Sequence, residues 1–95
     1  MHARVVRFTD VTPERIDEIL SSVDEADGPP EGIDTTRITL FFDREQGTAI
    51  FVGLFETEEK LRAATKAFEE MDRSDTPGTR ASVDLCEVKL DRTTP

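Results

Sequence analysis

The sequence predicts an α+β fold of order β-α-β-β-α-β, a four-stranded antiparallel sheet carrying two helices on one face. Three observations lead to it. Apolar residues recur at helical spacing in two segments, Ile16, Ile19, Leu20 and Val23, then Leu61, Ala64, Phe68 and Met71. Short runs rich in β-branched and aromatic residues stand before and after each of these segments. Between the helices, the stretch Thr35 to Phe55, TTRITLFFDREQGTAIFVGLF, reads as two strands joined by a tight turn. This order is the split-βαβ, ferredoxin-like arrangement. Ninety-five residues suffice for one such domain, spanning 1–95.

The first strand is read from Ala3 to Thr9, with Val5 on one face, Val6 and Phe8 on the other, and Arg4 and Arg7 interrupting the apolar pattern. Asp10 and Thr12 offer caps for the first helix, Pro13 suits its first turn, and Glu14 complements its positive end. That helix is expected to run to about Ala26, burying the Ile16-Ile19-Leu20-Val23 stripe. Gly28, Pro29, Pro30 and Gly32 then form a loop.

In the hairpin, Ile38, Leu40 and Phe42 point one way and Phe41 the other. Ile50, Val52 and Leu54 likewise oppose Ala49, Phe51 and Phe55. The loop Arg44 to Gly47 pairs Asp43 with Thr48 and sets Leu40 opposite Phe51, with Gly47 free to adopt a left-handed conformation. A hairpin wet on one side would alternate apolar with polar; this one asks for cover on both.

Thr57 caps the second helix, Glu58 and Glu59 fill its first turn, and Glu58 with Arg62 forms a favourable i, i+4 pair. Pro77-Gly78 marks a turn. The last strand is read from about Ala81 to Leu90. Its apolar phase changes near Cys86, which predicts either a bulge there or burial on both faces. A frayed tail is expected from Arg92 to Pro95.

Composition narrows the function classes. The net charge of −9 and the lack of clustered Lys and Arg argue against nucleic-acid binding. The first residues, MHARVVRF, contain no long apolar run, so neither a signal peptide nor a membrane span is expected, and a cytoplasmic location is the simplest reading. The single cysteine, Cys86, forms no intrachain disulfide, fits a reducing compartment, and is expected as a small buried hydrophobe. Flanking Asp84 and Glu87 disfavour a reactive thiolate.

Few residues offer chemistry. His2 is the only imidazole, and no second His or Cys stands near it, so no zinc or iron site of the usual type is expected. Asp24, Glu25 and Asp27 read as a solvated helix end rather than a calcium loop, and no phosphate-binding glycine fingerprint is present. Arg7, on a central strand, is the polar residue placed to orient an anionic or phenolic ligand; the simpler reading pairs it with Asp84 or Glu87 on the last strand or lets it reach water. Phe41, Phe51, Phe55 and Phe68 complete the candidate set for an apolar pocket, although phenylalanines at core positions more often just pack.

The run DREQGTAIFVGLFETEEKLRAA, Asp43 to Ala64, resembles the second half of the antibiotic-biosynthesis-monooxygenase-like domains of the dimeric α/β-barrel superfamily. The opening Arg4 to Phe8 and the segment Val11 to Glu18 are similar too. The resemblance implies a homodimer in which two ferredoxin-like subunits pack their open sheet faces into a barrel, supplying the cover that the hairpin asks for. It implies either a monooxygenase-like enzyme that works on an aromatic substrate without a bound cofactor, or a binder of a small apolar ligand. Several members carry Trp at the start of the second helix, where this chain has Phe55. Haem-degrading relatives need a His on that helix with an Asn and a Trp, and this chain has neither Asn nor Trp. The alternatives are a non-enzymatic ligand-sensing or structural module, and an RNA-recognition-type domain, which the net charge disfavours.

Overall fold

The computed structural model describes residues 1–25, 33–70 and 77–94, with the side chains of 23–25 outside the description. Its elements are β1 (His2–Thr9), α1 (Pro13–Glu25), β2 (Arg37–Asp43), β3 (Thr48–Phe55), α2 (Glu58–Glu70) and β4 (Thr79–Glu87). The strands form one antiparallel sheet in the order β2-β3-β1-β4. This is the ferredoxin-like arrangement, with both helices on one face and the other face open.

Local chemistry sets the boundaries. The Thr12 hydroxyl accepts a hydrogen bond from the Arg15 N–H at 3.2 Å, and the Thr57 hydroxyl one from the Lys60 N–H at 3.1 Å, so each threonine caps its helix. The hairpin loop closes by a bond from the Gly47 N–H to the Asp43 carbonyl at 2.9 Å, with Gly47 at φ 65°. The Asp43 carboxylate also accepts from the backbone N–H and side-chain amide of Gln46, at 3.2 and 2.9 Å. With the turn so fixed, Asp43 pairs with Thr48 and Leu40 with Phe51, as the loop length predicts.

Side-chain alternation then sorts the faces. Arg4, Val6 and Phe8 of β1 face the helices. Val6, Phe8, Val11, Ile16 and Ala49 form one core cluster, with Leu40, Phe42, Phe51 and Val83 packed against it. Ile33, Phe55, Leu61 and Ala64 form a second beneath α2, joined by Ala67 and Phe68.

Four expectations need correction. Leu20 is 47% exposed, so the buried stripe of α1 is narrower than its spacing suggests. The last strand ends at Glu87, and the change of apolar phase near Cys86 marks that end, Val88 and Leu90 lying beyond it. The register shift falls instead between Arg7 and Phe8, at the opposite end of the β1–β4 pair. Cys86 is exposed rather than buried, because β4 is an edge strand. The loop Gly28 to Gly32 and the side chains of Val23 and Met71 lie outside the described residues.

Candidate functional site

The open face of the sheet is built by the odd-numbered residues of β1 and their partners. Val5 lies between Val52 and Asp84, with Thr39 beyond Val52. Arg7 lies between Ile50 and Ser82, with Phe41 beyond Ile50. Ala3 lies between Leu54 and Cys86, with Arg37 beyond Leu54. The centre is therefore aliphatic, and Phe41 stands 55% exposed upon it. A monomer normally turns such a row towards its own core.

The chain after β4 turns onto this face. The Val88 N–H donates to the Met1 carbonyl at 3.0 Å, and Val88, Leu90 and Asp91 then border a groove floored by Val52 and Leu54. Phe41 and Thr39 form its other wall with Arg37 at the rim, and its volume is about 440 Å³. The groove is open to solvent along much of its length rather than an enclosed cavity.

The helix-bearing side holds a different arrangement around Arg4. This arginine is buried at 8% exposure, and its guanidinium sits 4.5 Å from the centre of the Phe68 ring, a cation–π contact. The Glu69 carboxylate lies 4.0 Å from Arg4 and 2.8 Å from Arg80, bridging the two cations. Burial lowers the Arg4 pKa from the ordinary arginine value; Glu69 opposes that shift and Arg80 adds to it. The Arg4 Nε is buried with no hydrogen-bond partner among the described residues.

A second recess of about 470 Å³ lies between the start of α2 and the end of β4, bordered by His2, Leu61, Leu85 and Glu87. On its rim the Glu58 carboxyl is held below its ordinary value, first by the hydrogen bond from Arg62 and then by that cation's charge. Among the described residues no group of three or more His, Cys, Asp or Glu is placed to hold a metal ion.

The candidates from the sequence are divided between the two sides. Arg7 and Phe41 lie on the open face, where Arg7 is exposed and has no ion-pair partner among the described residues. Phe51 faces the helices and meets Phe8 edge-on, with ring centroids 5.8 Å apart. Phe55 is fully buried at the heart of the second cluster, and Phe68 lies under the Arg4 guanidinium. The five are thus split between the two sides of the sheet. The residue that sequence reasoning passed over is Arg4, although its parity with Val6 and Phe8 places it on their face.

No protein-family model matches the chain, and no curated protein is detectably similar to it. Among the described residues no helix is long and apolar enough to cross a membrane.

Proposed function

We propose that this protein is a homodimeric α/β barrel that binds a small apolar or aromatic ligand between its two open sheet faces. The observation that carries the reading is the apolar open face, with Val5, Ile50, Val52 and Leu54 at its centre and Phe41 exposed beside them. A second copy laid on this face covers it with like residues, and the groove beside Leu90 becomes an enclosed space. A standard interface removes about 800 Å² from each partner.

The groove suits binding more than acid–base turnover. Its floor and most of its walls are aliphatic and aromatic, with Thr39 and the Asp91 carboxylate also on the lining and Arg37 at the rim to hold a carboxylate or phenolate edge. The only imidazole, His2, borders the recess under α2 instead.

Native mass spectrometry tests both parts, reporting subunit number and any ligand carried through purification. The expected result is a dimer that Val52→Asp weakens at least tenfold while its far-ultraviolet circular dichroism stays native. Phe41→Asp is expected to do the same. Leu40→Asp should unfold the chain instead, because Leu40 packs into the core beneath the helices. A wild-type monomer at concentrations of tens of micromolar would sink the proposal.

A further inference from the structure

The two edges of the sheet are built differently. β4 spaces Arg80, Asp84 and Glu87 along its length, and its pairing with β1 shifts register between Arg7 and Phe8. Spaced charge and irregular pairing both keep an edge from adding another strand. β2 carries charge only at its two ends, Arg37 and Asp43, and its pairing is regular. Among the described residues it pairs with β3 alone, in unbroken register from Arg37 to Asp43. Its interior, Ile38 to Phe42, contains no charge and no proline, and Ile38 and Phe41 are each more than half exposed. The unpaired N–H and C=O groups of such an edge are a template for a further strand.

We propose that the β2 edge pairs antiparallel with β2 of a second copy of this chain, about a two-fold axis at Leu40. Self-complementarity identifies the occupant. The axis sets Arg37 against the partner's Asp43, Ile38 against the partner's Phe42, Thr39 against the partner's Phe41, and Leu40 against the partner's Leu40. Opposed residues on antiparallel strands share a face. On the helix-bearing side the contacts are therefore aliphatic and aromatic; on the open side they are an ion pair and a β-branched–aromatic pair. Cross-strand pairs of these kinds stabilise sheets. A slip of two residues in either direction breaks the Arg37–Asp43 match, so charge fixes the register. Asp43 keeps room for the arginine, since an ionised carboxylate has about four acceptor sites and Gln46 occupies two.

This pairing does not rest on the open-face dimer. It is compatible with that dimer, because two sheets packed through their open faces can also meet along one edge, here β2, with β4 left unpaired. The two are also separable by experiment. Leu40 points to the helix-bearing side, so packing of open faces alone cannot bring two Leu40 side chains together.

The test uses the full chain carrying Cys86→Ser, which removes the exposed native thiol, together with Leu40→Cys. Opposed Cα atoms lie about 4.5–5.5 Å apart, within reach of a disulfide. Mild oxidation is expected to link most of the chain into a covalent dimer, while Arg44→Cys in the hairpin loop stays largely monomeric. Because Leu40 also packs against the core, a second pair of variants guards against misfolding. Thr39→Cys and Phe41→Cys chains, each with Cys86→Ser, should link to one another in a mixture far more than to themselves. Arg37→Glu is expected to raise the dissociation constant roughly fivefold, as two cross-strand pairs of opposite charge become like-charged. Equal linking at positions 40 and 44 in folded protein, or mixed linking no greater than self-linking, overturns the pairing.

Discussion

Arg4 occupies a core position in a central strand, where its neighbours Val6 and Phe8 are fully apolar and buried. Two contacts make this tolerable. Phe68 offers its ring face to the guanidinium, and Glu69 offers a carboxylate that it shares with Arg80. The side chain thus contributes both a packed stem and a charge, and the two are separable by substitution. Arg4→Met keeps most of the volume and removes the charge, while Glu69 retains Arg80 as its partner. Replacing a buried ion by a well-packed apolar residue is often neutral or better, so stability is expected within about 1 kcal/mol of the native chain. Arg4→Ala also removes the stem and should cost about 2 kcal/mol or more. Urea denaturation of both variants checks this. Equal losses in the two would show that the charge, and not the packing, holds this corner together, and would direct attention to its unpartnered Nε.

At the scale of elements, caps and turns were legible in the sequence and strand ends were not. Thr57 is read as a cap from its position before Glu58 and Glu59, and its hydroxyl accepts the Lys60 N–H. Thr57→Ala is expected to cost about 1 kcal/mol in thermal or denaturant unfolding; an unchanged stability would mean that the Lys60 N–H is satisfied equally well by water. The Glu58–Arg62 pair adds a pH dependence of known sign. Glu58 titrates below its ordinary value, so its contribution is present above the unfolded carboxylate pKa and fades as pH falls through the folded one. The hairpin register was legible because a four-residue loop with Gly47 leaves few ways to close. The end of β4 was not, because a reversal of apolar phase arises equally from a bulge, from two-sided burial, or from a strand that stops. Val88 and Leu90 look like strand residues by composition, and only the pairing with β1 shows that the strand ends at Glu87, with one further bond from the Val88 N–H to the Met1 carbonyl. The candidate site was half legible for the same reason. Alternation separates Phe41 from Leu40 and Phe42, but nothing in the pattern says which side the helices choose. That choice puts Arg7 and Phe41 in the open and buries Phe55.

The whole molecule carries a net charge of −9, so any assembly of two copies forms against its own field. Its extents of 35 × 34 × 25 Å set the distances involved. At about 0.01 M salt the Debye length is about 30 Å, and nearly every charge on one copy acts on the other; at about 0.1 M it is about 10 Å, and only charges near the contact do. The centre of the proposed open-face contact is apolar, with Arg7, Arg37 and Asp84 around it, so screening removes the net repulsion between the copies while the apolar attraction stays. The Arg37–Asp43 pairs of the edge contact respond in the opposite sense, but they are two local contacts against the summed repulsion of both chains. Self-association is therefore expected to strengthen as salt rises over this range, and to strengthen again as pH falls from neutrality toward the isoelectric point near 4.5. Sedimentation equilibrium at the two ionic strengths measures the first effect directly. A dissociation constant that increases with salt would mean that opposite charges dominate the contact, and the apolar open face would then not be what the second copy covers.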